Sequence, residues 1–282
     1  MANETTLTTA NDLTYAALIN ESVIDYARAA IVIAPLVRQF SLEGRPGRAL
    51  DVPVWGSASA GEVDEGTDLS NTALSTDKVA LGAGEVGVMI TVTDLLAESD
   101  ILANLDEYAR QLGLAVAEKV DSDLATLFAG LAGGGAVGSS GSDMTDDVFL
   151  EALYLLEAAN APKPYHCVLH PRQWADLRAD IVTSTGTPYS ASAAQAIVNS
   201  GFAGVLFGVN VYQTTNVQTA NTGADRAGAM FSSEALGLVT KWPARTELQR
   251  DASLRATEIV VTACYGVGEL VDSFGVPIVT DA

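Results

Sequence analysis

Between Ser99 and Leu131 the chain reads SDILANLDEYARQLGLAVAEKVDSDLATLFAGL, with apolar residues at Ile101, Leu105, Tyr108, Leu112, Val116, Val120, Leu124, Leu127 and Leu131. Every step is three or four residues, the spacing of one helix face. Ser99 is an N-cap residue by type, and Gly133, Gly134 and Gly135 stop the pattern. About 30 residues at 1.5 Å rise make a rod of roughly 45 Å, where an ordinary helix has about 11–12 residues. The stripe follows 3.6 better than 3.5, which predicts a helix lying on a core rather than a coiled coil. One protomer cannot bury such a rod and a projecting arm alone, so neighbours must supply contacts.

The arm is predicted just before the helix. RALDVPVWGSAS alternates Leu50, Val52 and Val54 with polar positions, and Pro53 marks an edge strand. VGVMITVTD alternates Val86, Val88, Ile90 and Val92 with Gly87, Met89 and Thr91, a second strand. From Gly56 to Gly84 runs a polar connection with Glu62, Asp64, Glu65, Asp68 and Asp77 and one base, Lys78. A connection of this length without its own core is usually functional. We expect a long two-stranded arm in which the glycines of GAGEVG (Gly82, Gly84, Gly87) permit a bend. Those glycines have the G-x-G-x-x-G spacing, but LSTDKVAL before them is a poor buried strand and a strand, not a helix, follows. A dinucleotide fingerprint must open a helix, whose N-terminus takes the pyrophosphate. GGGAVG (Gly133, Gly135, Gly138) repeats the spacing ahead of a loop, so no cofactor is expected.

Charge bounds the partners. The chain has 282 residues and a formal net charge of −20, with 15 Lys and Arg against 35 acids. Groove-type binding of nucleic acid needs clustered basic residues. Here only Arg28, Arg38, Arg45 and Arg48 cluster, with Glu43 the one acid between Arg28 and Arg48. Paired arginines within or between subunits, or a phosphate-contacting patch, both fit them. The longest apolar run, AAIVIAPLV from Ala29, is too short for a membrane span. MANETTLTTAND lacks the basic and apolar parts of a signal peptide, and two cysteines make no disulfide framework.

The remainder reads as mixed α and β. DDVFLEALYLLEAAN is an amphipathic helix capped by Thr145; YHCVLH is a strand; Pro171 starts a helix at its favoured first position. TSTGTPYSASAA is a loop, and GVLFGVNVYQTTNV a strand or bent pair turning at Gly208. GAMFSSEALGLVTKW, ARTELQRD and ATEIVVTACYGVGELVDSFGVPIVT supply further strands.

The order of these parts resembles the major capsid protein of tailed bacteriophages, with the Hong Kong 97-type coat fold. EGRPGRALDVPVW (Glu43 to Trp55) is similar to that family's approach to its extended loop, EGT (Glu65 to Thr67) to the loop tip, and VTDLLAESD (Val92 to Asp100) to the start of the spine helix. VLHPRQWADLR (Val168 to Arg178) is similar to its strand–turn–helix, with His170 where Asn is commoner, and LFGVNVYQTTNV (Leu206 to Val217) to its next strand pair. The resemblance spans about Leu13 to Thr280 and rests on the order of the strings. It implies an α+β fold with an N-terminal arm, an extended two-stranded loop, a long spine helix, and peripheral and axial subdomains. The implied division is 1–49 arm and helix, 50–92 extended loop, 93–142 with 238–265 peripheral domain, and 143–237 with 266–282 axial domain. No long helical pro-segment precedes the arm, so scaffolding is expected from another polypeptide. The extended loop has one lysine, Lys78, a departure from relatives with covalently linked shells.

Enzyme readings carry less. Cys167 between His166 and His170 suggests a thiol with a base, yet strand alternation turns Cys167 away from both. The two histidines would then lie about 13 Å apart, too far to share a metal. The acids Glu62, Asp64, Glu65 and Asp68 miss the calcium-loop frame, since with Gly66 sixth the twelfth residue is Thr72 rather than Glu. Asp121 and Asp123 are read as the wet face of the long helix. We expect no catalytic, cofactor or metal residues.

The resemblance implies instead a structural protein that self-assembles as hexamers and pentamers into an icosahedral shell around double-stranded DNA. Trp55, Glu62, Asp64, Glu65, Asp68, Lys78, Arg28, Arg38, Arg45 and Arg48 would be the subunit contacts of loop and arm. Implied partners are scaffolding, portal and decoration proteins and packaged DNA without specific binding, with no membrane; the place is the virion, after assembly in the host cytoplasm. Two other readings compete: an encapsulin-like nanocompartment shell, and a cytosolic α/β enzyme with an unrecognised site.

Overall fold

The computed structural model describes residues 23–25, 31–56, 60–62, 66, 68, 71, 73–95, 105–183 and 204–281. The elements are β1 (Arg38–Ser41), β2 (Ala49–Trp55), β3 (Thr76–Gly82), β4 (Gly84–Thr93), α1 (Leu105–Thr126), α2 (Asp146–Ala158), β5 (Tyr165–Leu169), α3 (Pro171–Thr183), β6 (Val205–Leu206), β7 (Val209–Gln213), β8 (Thr219–Ala220), β9 (Asp225–Ser232), β10 (Leu236–Asp251), β11 (Ala256–Glu269) and β12 (Gly275–Asp281). They form a four-stranded sheet in the order β1-β10-β11-β4, a six-stranded sheet β12-β9-β5-β7-β6 with β8 on β9, and a two-stranded ribbon β2-β3.

The predicted long helix is α1, and its stripe faces the four-stranded sheet. Leu112, Val116, Val120 and Leu124 are buried with Leu238, Ile259, Val261 and Ala263. Its 22 residues span about 33 Å. The expected cap at Ser99 lies outside the described residues. The far end comes earlier than periodicity suggests. After Thr126, whose hydroxyl donates to the Asp123 carbonyl at 2.6 Å, Leu127–Gly130 tighten into a 3₁₀ turn. That turn buries Phe128 completely and brings Gly130 against Glu269, where a Cβ would stand 2.1 Å from the carboxylate. The apolar spacing survives the change of winding, which hides the helix end from a periodicity count.

Asp121 corrects the wet-face reading. It is 1% exposed, and its carboxylate accepts the Val32 N–H at 2.8 Å and the Ile33 N–H at 3.1 Å. These amides begin the 3₁₀ turn Ala34–Leu36 and would otherwise lack partners. Burial raises the Asp121 pKa, while the amide hydrogen bonds oppose the rise. Asp123 is nearer the surface and takes Lys119 at 2.6 Å and the Tyr265 hydroxyl at 2.8 Å.

The six-stranded sheet centres on β5, buried at all five positions, with α2 and α3 packed on one face. Thr145 caps α2 as expected, accepting the Val148 N–H at 3.4 Å; Phe149, Ala152 and Leu156 form its buried stripe. Pro171 opens α3, and Trp174, Leu177 and Ile181 bury its inner face. The bent pair is a hairpin β6–β7 turning at Phe207 and Gly208, both at positive φ, the geometry of a tight two-residue turn. KWPARTELQRD is not two strands but part of the 16-residue β10. Its register slips twice, between Thr240 and Trp242 and between Trp242 and Arg245; the second slip spans Pro243, which offers the ladder no N–H. TSTGTPYSASAA falls almost wholly outside the described residues.

The arm differs from expectation in its pairing. β2 pairs with β3, from Ala49↔Gly82 to Trp55↔Thr76, and not with residues 86–92. The latter lie in β4, which runs antiparallel to β11. Residues 76–82 read poorly as a buried strand because only Leu81 is buried there; a ribbon needs one apolar row, not two. Leu81 and Val52 join Leu42, Val239, Cys264 and Leu270 in a small core under the ribbon base. Two glycines of β11 allow that seat: a Cβ on Gly266 would lie 2.1 Å from the Gly82 carbonyl oxygen, and one on Gly268 would lie 2.5 Å from Leu81. Gly84 is not the bend we expected. It has an ordinary φ and open space where a Cβ would be, and it simply begins β4.

Candidate functional site

The ribbon is the feature most open to a partner. Among its fourteen strand positions only Val52 and Leu81 are buried. The ladder closes beyond Trp55 with the Gly56 N–H donating to the Ser75 carbonyl at 2.9 Å. Trp55 is 64% exposed and Leu74 46%, so two large apolar side chains flank the distal end of the described ladder. Lys78 meets Asp51 across the ribbon at 2.8 Å. This hydrogen bond and the carboxylate charge raise the Lys78 pKa, keeping the ammonium charged. Asp51 was not legible as a partner, because it lies diagonally from Lys78 only in the β2–β3 register.

The other expected contact residues are spread along the chain. Glu62 and Asp68 are exposed; Asp64, Glu65 and Arg28 lie outside the described residues. Arg38, Arg45 and Arg48 are exposed, and none has a carboxylate partner among the described residues. Arg38 lies 5.3 Å from the Phe40 ring centroid. Between Arg45 and Arg48 the chain turns, and Lys241 donates to the carbonyls of Arg45, at 3.3 Å, and of Gly47. Sequence reasoning missed Lys241, which reaches this turn from β10, almost two hundred residues away in the chain.

A second exposed feature lies at the far end of the long sheet. Arg250 grips Asp94 with two hydrogen bonds of 2.6 and 2.5 Å, tying the end of β4 to β10 and lowering the Asp94 pKa. Beside this pair Leu95 and Leu254 are 79% and 58% exposed. No sequence signal linked residues 94 and 250; only the β4–β11–β10 order brings them together.

Of the catalytic candidates, Cys167 and His166 are buried packing residues. Burial pushes the Cys167 thiol well above its ordinary range, so it is not a thiolate nucleophile. Burial lowers the His166 pKa, and its ring lies tilted against Tyr212, centroids 5.9 Å apart, and Phe231, 6.3 Å apart. His170 lies past the end of β5, and its Nδ1 accepts the Arg172 N–H at 3.3 Å, so the shared strand face expected for the two histidines does not exist. An apolar groove of about 430 Å³, lined by Ile31, Pro35, Val116, Leu238, Trp242 and Pro243 among others, gathers no acid–base pair. Among the described residues no three potential metal ligands cluster, and no helix is long and apolar enough to cross a membrane.

A model of the phage capsid protein family matches residues 82–276. No curated protein matches the chain. Among solved structures, the chain is similar to a protein of Mycobacterium phage Che8, with 24% identity and a TM-score of 0.69 over 88% of this chain and 90% of that one. It is also similar to the head structure of Helicobacter pylori bacteriophage KHP40, at 11% identity and TM-score 0.69 over 86% and 88% of the two chains. A virus-like particle from Pyrococcus furiosus matches at 11% identity and TM-score 0.63 over 94% and 99%. At these identities the structural likenesses speak for the fold, which is the Hong Kong 97-type coat fold. The family match, which covers well over half the chain, speaks for its kind: the chain belongs to the phage capsid protein family and is a major capsid protein, a structural component of the virion.

Proposed function

We propose that many copies close into an icosahedral shell of hexamers and pentamers around double-stranded DNA, and that the β2–β3 ribbon of each copy lies on a neighbour. The exposed ribbon carries this reading. An isolated two-stranded ribbon is marginal in water, and a tryptophan exposed near its end gains most by entering a neighbour's pocket. The contact set is Trp55 and Lys78 with the acids Glu62, Asp64, Glu65 and Asp68, together with Arg28, Arg38, Arg45 and Arg48 of the arm. The division into 1–49 arm, 50–92 extended loop, 93–142 with 238–265 peripheral domain and 143–237 with 266–282 axial domain is part of the proposal, refined by placing 84–93 with the peripheral sheet. The shell has no enzymatic step. Its acidity repels phosphates, so DNA is held by enclosure and must be driven in. Scaffolding, portal and decoration proteins complete the particle in the host cytoplasm.

The test is to replace residues 57–74 by an Asn-Gly turn, sparing β3. The protomer should stay folded and soluble by circular dichroism, and particles should be absent from electron micrographs. An unfolded protomer, or normal particles, would contradict the reading. Trp55→Ala is the milder form: protomer stability should change by no more than about 0.5 kcal/mol, as for surface positions, while particle yield falls several-fold.

Charge gives a further expectation. At −20 per chain, copies repel over about 8–10 Å at physiological ionic strength. Light scattering during assembly should therefore rise as salt goes from low to moderate. A falling signal would mean that attractive ion pairs dominate the contacts.

A further inference from the structure

We infer that the outer edge of β4 pairs antiparallel with the same edge of a second copy, joining two four-stranded sheets into one across a two-fold axis. β4 is the last strand of its sheet. The Asp94 N–H donates to the Arg255 carbonyl, and the register runs from Ala256↔Thr93 to Tyr265↔Gly84. Antiparallel bonding alternates along such a ladder, so the even-numbered residues of β4 face β11. The backbone groups of Glu85, Gly87, Met89 and Thr91 face outward, and no described residue pairs with them. Natural sheets blunt long free edges with lysine, proline, bulges or a covering loop. Among the described residues this edge has none of these, and its one charge, Glu85, is at the start.

The other edges of the chain are protected, which narrows the partner. The 56–75 bond fixes the ribbon's alternation, so Pro53 faces outward on β2 and interrupts that edge. On β3 the outward Lys78 N–H is already taken by the Asp77 carboxylate at 2.7 Å. β12 is covered by residues 133–142, with the Val137 and Gly133 N–H groups donating to Pro277 and Gly275 and the Val279 and Asp281 N–H groups donating back to Val137 and Ser142. β1 and β6 have four and two residues. Among the described residues, only β4 offers an uninterrupted edge long enough to match β4.

The sequence of β4 is self-complementary in that arrangement. Centred on Met89, the pairing sets Gly87 opposite the second copy's Thr91. On the other face Val88 meets Ile90 and Val86 meets Val92, β-branched cross-strand pairs of the kind that stabilise sheets. All four of these side chains are half-buried in the protomer, unlike the fully buried Ile259 and Val261 of β11. The two Glu85 carboxylates end up about 27 Å apart, eight strand residues, well beyond the screening length of about 8 Å. A parallel pairing in register would stack them. The inference rests on shell formation only for the source of the second copy.

The test uses Met89→Cys in the full chain, assembled and then mildly oxidised. Cys167 and Cys264 are both buried, so background linking is low. Directly opposed residues across the axis would have Cα atoms about 5.5 Å apart, within the span a disulfide bridges. Most chains should then run as linked dimers on a non-reducing denaturing gel. Adding Thr91→Pro, which removes an N–H that has no partner among the described residues, should cut that dimer at least ten-fold with circular dichroism unchanged. Intact particles whose Met89→Cys chains stay unlinked would overturn the pairing and leave the shell standing. So would a link that forms instead between Met89→Cys and Ala80→Cys, which would seat the ribbon on this edge.

Discussion

Asp121→Ala should lower the stability of the unassembled protomer by about 2–4 kcal/mol. The basis is that a buried backbone N–H, of Ile33, and a partly buried one, of Val32, lose their acceptor, and each such loss costs about 1–3 kcal/mol. Urea unfolding followed by circular dichroism measures it. Asp121→Asn should cost less, because it keeps one acceptor oxygen. The wild-type carboxylate is itself held against burial, which raises its pKa. The residue therefore contributes by fixing the segment that leads into β1, not through favourable ionisation. A loss below about 0.5 kcal/mol, the range of an ordinary surface change, would return Asp121 to the wet face.

Gly266→Val should abolish particles. Any Cβ there lies 2.1 Å from the Gly82 carbonyl oxygen, and that neighbour is backbone, which cannot swing aside. Overpacking of this kind costs about 1–3 kcal/mol, and here the strain falls on the ribbon seat. The four-stranded sheet and α1 should remain by circular dichroism, while Val52 and Leu81 lose their contacts with Val239 and Leu270. Gly84→Val is the control: its side chain enters open space and should leave particle yield near normal. Normal particles from Gly266→Val would mean that the ribbon base moves freely and does not aim the ribbon.

What could be read from sequence and what could not divides by the range of the interaction. The stripe of α1, the Thr145 cap, Pro171 at the start of α3 and the Gly208 turn are local, and all were legible. So was the strand that opens at Gly84, because alternation is a property of one segment. Which strand pairs with which was not. Residues 86–92 alternate more clearly than 76–82, yet it is β3 that pairs with β2, and the room for its seat is left by Gly266 and Gly268, far along the chain. Asp121 failed for the same reason. Its sequence neighbours say nothing of Val32 and Ile33, and an acid on a helix is usually wet. Trp55 and Lys78 could be named from sequence as proposed contacts of the ribbon; the partners Asp51, Asp94 with Arg250, and Lys241 could not, since each depends on strand register.

Electron cryomicroscopy of particles assembled from the full-length chain tests the central claim most directly. The account predicts closed icosahedral shells in which density for residues 49–82 of each subunit leaves its own four-stranded sheet after the Gly266 crossing and packs Trp55 against an adjacent subunit. Discrete small oligomers, or shells in which Trp55 folds back on its own subunit, would contradict it.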